Sequence, residues 1–226
     1  MERSILTAIV ISLALMACMP DKASDTTAAS ATQEAEAKST SAQDQKTYVP
    51  IETDEALVAT SLMAAPAAAR DNCTVIGYNL QGEFVTFREG TNEFIVLADD
   101  PKKKGFNAAC YHKSLEPFMA RGRALKAEGK SREEIFEIRA AEIASGALKM
   151  GDAGSTLHIY FGGSDLYDPE TFAVEDARYR YVVYMPYATA ESTGLPIQPV
   201  APNHPWIMDP GTHRAHIMIS PVDPGS

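Results

Sequence analysis

The sequence predicts an α+β domain, a mainly antiparallel sheet with two to three helices packed on one side. Three observations carry that expectation. From Cys73 onward, short apolar or alternating runs separated by Gly/Asn turns read as strands. Between residues 107 and 146, apolar side chains recur at helical spacing. After that come three more strand-like runs, with a proline-rich stretch among them that cannot donate to a ladder.

Each element has a local reason. Thr53-Asp54-Glu55 opens a short helix, because Thr53 can cap it and the acids favour its positive end. Thr74 to Tyr78, Glu83 to Arg88 and Glu93 to Ala98 are separated by Leu80-Gln81-Gly82 and Gly90-Thr91-Asn92, the pattern of an antiparallel meander. Asn107 to Glu128 reads as helical through Tyr111, Leu115, Phe118, Met119 and Leu125, with Pro117 as a break point. Ser131-Arg132-Glu133-Glu134 is a capping-box pattern, and Gly146 is a natural stop for the helix that follows. Thr156 to Phe161, Arg178 to Met185 and Ala215 to Ser220 read as strands. The stretch from Leu195 to Pro210 reads as irregular chain over the core.

The N-terminus carries an address. An apolar run from Ile5 to Ala17 follows Arg3 and closes on Leu15-Met16-Ala17-Cys18. It is too short for a membrane span, which needs about 20 residues, and fits a signal-peptide apolar region. Small and branched residues directly before a cysteine look like the lipobox of bacterial lipoprotein signal peptides. That resemblance makes Cys18 the lipidation site and anchors the protein by lipid, with Met19 favouring the bacterial outer membrane on its periplasmic face. Residues from Met19 to about Lys46 are rich in Ala, Ser, Thr, Gln, Asp and Glu and lack apolar periodicity, so they read as a polar disordered tether. The chain thus divides into a signal segment (1–17), a tether (18–47) and one domain (48–226).

Composition narrows the function. Hydrophobic residues make up 45% of the 226, enough for a core. The net charge of −10 gives no electrostatic footprint for nucleic acid. The run Lys102-Lys103-Lys104, after Asp99-Asp100-Pro101, reads as a solvated loop. With Cys18 assigned to lipid, Cys73 and Cys110 remain. An exported compartment can join them in a disulfide, the alternative being two buried free thiols.

Further words in the chain carry a family likeness. Arg88-Glu89-Gly90-Thr91-Asn92, Gly162-Gly163-Ser164-Asp165, Pro205-Trp206-Ile207-Met208, Pro210-Gly211-Thr212 and Ala215-His216-Ile217-Met218-Ile219 occur in that order. The order resembles a family of uncharacterised exported bacterial proteins, over about residues 55 to 220. The resemblance implies a fold and a secreted address, with no activity attached. Members often carry a cysteine shortly after the Arg-Glu-Gly-Thr-Asn word, where this chain has Ile95-Val96-Leu97. That departure leaves Cys73 as the replacement partner for Cys110.

Candidate chemistry is sparse. His213 and His216 would point to opposite faces of a strand, and His112, His158 and His204 share no spacing motif, so no metal or cofactor site is expected. His216, facing His158 or Tyr160, is the candidate general base. Ser164, in Gly162-Gly163-Ser164-Asp165, fits neither a nucleophile elbow nor a phosphate loop. Asp165, Asp168 and Glu170 lack the spacing of a calcium loop. Arg88-Glu89 reads as a fold-determining ion pair. Tyr179, Tyr181, Tyr184, Tyr187 and Trp206 concentrate aromatic area late in the chain, as core or as a surface for a protein or small-molecule partner. The expectation is a lipid-anchored binding or accessory module rather than an enzyme. The alternative is a periplasmic hydrolase-like enzyme centred on His216 and His158.

Overall fold

The computed structural model describes residues 47–221. In chain order the strands are β1 (Val49–Pro50), β2 (Thr74–Tyr78), β3 (Phe84–Arg88), β4 (Phe94–Leu97), β5 (Phe106–His112), β6 (Thr156–Gly162), β7 (Leu166–Tyr167), β8 (Arg178–Tyr184), β9 (Trp206–Met208) and β10 (His216–Ile219). The helices are α1 (Asp54–Ser61), α2 (Glu116–Ala127), α3 (Arg132–Ala144) and the short α4 (Ala190–Thr193). Eight strands form one sheet in the order β3-β2-β4-β5-β6-β8-β10-β9, and β1 pairs with β7 apart from it. The class is α+β and the sheet is mainly antiparallel, with one parallel pair, β2 with β4.

That parallel pair corrects the expected meander. The β2 sequence Thr-Val-Ile-Gly-Tyr is almost continuously apolar, and Val75 and Ile76 are buried. A strand buried on both faces is most stable with neighbours on both sides. β3 alternates polar residues and takes the edge, where exposed charge is tolerated. After the β2–β3 hairpin the chain therefore crosses the entry of β2 and lays β4 on its far side, with Val75 opposite Val96. The crossing is held by Asn72 O, which accepts from the N–H groups of Thr91 and Asn92 at 2.9 and 3.1 Å.

A second correction concerns residues 107–112. They form most of the strand β5, and helix α2 begins only at Glu116, with Pro117 in its first turn instead of breaking it. Strand pairing on both sides, Val96 with Cys110 and Cys110 with His158, overrides the local helical spacing. In the proline-rich stretch, Trp206–Met208 pairs with β10 as the outer strand β9, so that region is not wholly irregular.

The two faces of the sheet have separate cores. On one, Val75, Val96 and Cys110 lie in register, and Ala64 and Ala65, just after α1, pack over them with Val58 and Leu62 at the margin. On the other, Tyr111, Leu157, Val182 and Met218 form a row across β5, β6, β8 and β10. Phe118 and Met119 of α2 and Ile143 of α3 cover that row. The two long helices thus share a face. The caps of α1 and α3 are those read from sequence: Thr53 Oγ1 accepts from Ala56 N–H at 3.1 Å, and Ser131 and Glu134 close a capping box. Arg121 grips Glu142 with bonds of 2.7 to 3.0 Å, joining α2 to α3.

Two further expectations change. Arg88 makes no ion pair with Glu89; its guanidinium donates to Cys73 O at 3.0 Å and to Arg70 O, clamping the turn that enters β2. Cys73 and Cys110 are fully buried free thiols in one apolar cluster, so the expected disulfide is not formed. Cys73 Sγ donates to Ala69 O at 3.1 Å. The neighbouring Cys110 lowers the Cys73 pKa and Cys73 raises that of Cys110, and burial raises both. Cys18 and the expected signal and tether through residue 46 lie outside the described residues. Among the described residues no helix is long and apolar enough to cross a membrane.

Gly90 sits where the crossing chain touches the entry of β2. A Cβ there would lie 2.1 Å from Thr74 N and 2.5 Å from Asn72 O, both backbone atoms that cannot yield cheaply. We predict that Gly90→Ala destabilises the domain by about 1–3 kcal/mol or more, read as a lowered urea midpoint. Gly163→Ala, which meets open space, serves as the near-neutral control.

Candidate functional site

The histidines singled out from sequence do not converge. His158 pairs in register with Tyr181, and His216 with Tyr184. Tyr181 and Tyr184 are three residues apart on β8, so the two histidines project from opposite faces of the sheet. His216 donates from Nδ1 to Arg214 O at 2.7 Å and lies against the Tyr184 ring. His158 packs edge-on against Tyr181. His213 is buried between Phe118 and Phe136 with no partner for Nε2. Burial pushes all three imidazoles below their ordinary range. His112 accepts from Ser114 N–H and closes a helix start, and His204 Nδ1 meets Pro205 O.

The remaining sequence candidates are structural. Ser164 Oγ donates to Glu175 at 2.8 Å and accepts from Leu166 N–H, closing the turn after β6. Asp168 accepts from Glu170 N–H and Thr171 Oγ1 within a second turn. Among the described residues no group of three His, Cys, Asp or Glu side chains could hold a metal ion. The late aromatics divide between the faces: Tyr179 stacks on Tyr160, Tyr184 is buried beside Phe118, and Tyr187 is exposed. They do not make one surface.

The feature with the geometry of a site lies at the end of β2 and β4, in a cleft of ≈580 Å³. One wall is aromatic. Tyr78 and Phe84 face each other across the β2–β3 hairpin, ring centroids 5.2 Å apart and edge to face. They are 37% and 46% exposed, unusual for large apolar rings without a partner. The opposite wall is the last two turns of α2, with Arg123 and Lys126 on one helical stripe. The floor is Leu97 and Ala98 at the end of β4, and the rim is the loop carrying Lys103 and Lys104.

Each wall is fixed by contacts beneath it. Arg123 donates to Tyr111 OH at 3.1 Å and to Glu116 Oε1 at 2.5 Å, while Tyr111 OH donates to Glu116 Oε2. Burial and the Glu116 bond together push the Tyr111 phenol well above its ordinary range. The Arg123 guanidinium lies 5.6 Å from the Phe84 ring centroid, a cation–π contact joining the two walls. Gly105 returns the rim loop to β5 with φ +75°, and a Cβ there would meet Gly162 O at 2.8 Å.

At the base lies Asp99, 6% exposed. Its N–H donates to Ser61 Oγ at 3.2 Å, and its Oδ1 accepts from Asn107 N–H at 2.7 Å. Burial raises its carboxyl above the usual range, against the pull of the Asn107 and Asp100 N–H groups. Asp100, held by Lys103 and Lys102 N–H, moves the other way although burial opposes it. Four cations and two aromatic rings therefore meet over a buried carboxyl, in a chain of net charge −10.

Sequence reading missed this cleft. The lysine run was legible, but read as a solvated loop. The available signal was Arg123 and Lys126 one helical turn apart, together with a Phe and a Tyr flanking one hairpin turn. Comparison with protein-family models, curated proteins and solved structures finds no match. The likeness to exported bacterial proteins thus rests on the quoted residues alone.

A carboxyl whose folded pKa exceeds its unfolded value holds more protons when folded. Its favourable contribution is complete below the unfolded value and is lost as pH rises through the folded one. Wild type should therefore lose stability relative to Asp99→Asn as pH rises from about 4 toward neutrality. Denaturant midpoints of both proteins across that range test this, and a pH-independent difference would refute it.

Proposed function

We propose that this chain is a lipid-anchored binding module of the bacterial outer membrane, with Cys18 the lipidated residue and the cleft beside Asp99 its ligand site. The observation that supports binding is the convergence of Lys103, Lys104, Arg123 and Lys126 on one concave, partly apolar space. Such a space favours a small anion: the cations attract it and the apolar floor lowers the screening beneath it. Arg123 is already positioned by Tyr111 and Glu116, so less ordering cost falls on binding. The anchoring half of the reading is supported by Leu15-Met16-Ala17-Cys18 at the end of a short apolar run. A lipid at that position ties the protein to a bilayer without a membrane-spanning helix.

Each half has its own test. Isothermal titration with separate small anions (acetate, 3-phenylpropanoate, phenyl phosphate and inorganic phosphate) should find at least one that saturates. Lys104→Gln and Lys126→Gln should each weaken that binding about 2- to 5-fold, the range for a partly exposed charge contact. If none of the anions saturates, the binding reading is wrong. For the anchor, metabolic palmitate labelling should mark the wild-type chain and not Cys18→Ser. Equal labelling of the two would overturn lipidation at that residue.

A further inference from the structure

We infer that the cleft selects an aromatic monocarboxylate, with the acid read by the lysine rim and the ring seated against Phe84 and Tyr78. This rests on the anion-binding reading above and adds the class of ligand.

The charge count sets the acid. Lys103, Lys104, Arg123 and Lys126 line the cleft, together with Asp99 and Asp100. Arg123 also holds Glu116, and Lys103 holds Asp100. With Asp99, Asp100 and Glu116 all ionised, the four cations leave one positive charge. A single carboxylate balances it, whereas a phosphate dianion would bring a second charge next to Asp100 and Asp99. Among the described residues Lys104 and Lys126 carry no ion pair, although Lys126 acts on Asp100 through space, and these two are the cations available to it.

The walls set the body of the ligand. Phe84 lies on the outer strand of the sheet and keeps 46% of its surface exposed although it touches Tyr78 and Arg123. Its ring and that of Tyr78 already stand edge to face, so a third flat ring can join them by the same quadrupole geometry. Leu97 and Ala98 supply an apolar floor beneath. The guanidinium of Arg123 reaches from the helix wall to 5.6 Å from the Phe84 ring centroid, where it can meet a carboxylate beside the ring. The volume, ≈580 Å³, suits a small molecule or the last residue or two of a peptide.

Titrations with 3-phenylpropanoate, 3-cyclohexylpropanoate, acetate and phenyl phosphate separate the terms. The aromatic acid should saturate and bind about 3-fold or more tightly than its cyclohexyl analogue, the advantage of an aromatic contact, and more tightly than acetate or phenyl phosphate. Phe84→Ala should abolish the preference between ring types, and Lys104→Gln should weaken both propanoates alike. Phe84 is half exposed, so its removal leaves the core intact. Acetyl-alanyl-phenylalanine distinguishes the source. Tighter binding than the free acid assigns a peptide C-terminus, weaker binding assigns a free aromatic acid, and both support the class. If acetate or phenyl phosphate binds as tightly as 3-phenylpropanoate, the aromatic monocarboxylate is wrong while anion binding stands. If no probe binds, both fall.

Discussion

Three register pairs tie β4 to β2 in parallel: Thr74 with Ile95, Val75 with Val96 and Ile76 with Leu97. The other elements are placed by that tie. It buries β2 between two neighbours and sends β3 to the edge. It requires the chain to cross the entry of β2, which explains the close approach at Gly90 and the double use of Asn72 O. Arg88 completes the crossing by taking the carbonyls of Cys73 and Arg70, backbone acceptors that would otherwise be costly to leave unmet. Cys73 is thereby set in the apolar cluster against Cys110 of the central strand. The cysteines meet as a consequence of the crossing, as buried free thiols.

The same tie makes the cleft. Parallel strands finish at the same end of a sheet, so Tyr78 and Leu97 lie together, and the chain leaving β4 turns at once into Asp99 and the lysine loop. With β3 outermost, the Phe84 ring keeps an open side. Beneath the opposite wall, Tyr111 projects from β5 to the Glu116–Arg123 pair of α2. The site is therefore assembled from a hairpin, a strand end, a loop and a helix that are each fixed by hydrogen bonds outside it. The lysines on the rim are long and exposed, and the arginine is anchored. An anchored wall with long lysines on its rim can orient the body of a ligand and still adapt to its charge.

Much of this was legible as local chemistry and little of it as arrangement. The Thr53 cap and the Ser131 capping box act within four residues, and the structure contains both. Strand positions were legible because alternation and turn residues are local too. β5 was not, since the spacing of Tyr111, Leu115 and Phe118 fits a helix until Val96 and His158 pair with Cys110 on either side. The pairing of β2 with β4 was not legible either: turn residues between successive runs read as an antiparallel meander, and nothing local marks a chain that crosses to pair in parallel. The cleft joins residues 78, 84, 104 and 126, and no periodicity links positions so far apart. His216 and His158 drew attention because histidine is chemically versatile. Their register to Tyr184 and Tyr181 decides against a shared site.

That register also bears on where a ligand can go. One face of the sheet is packed by α1 and the residues after it, the other by α2 and α3. The cleft lies instead at an end of the sheet, where strand ends meet the C-terminal end of a helix. In this protein the helix presents its C-terminal end, which carries a negative partial charge of about half a unit. Lys126, in the last turn of α2, is placed to offset it. The positive charge left for a ligand is thus smaller than four cations suggest, and it is set beside two rings and a buried carboxyl. Polyanions gain little from such a balance. A singly charged acid with a flat apolar body gains from both parts of it.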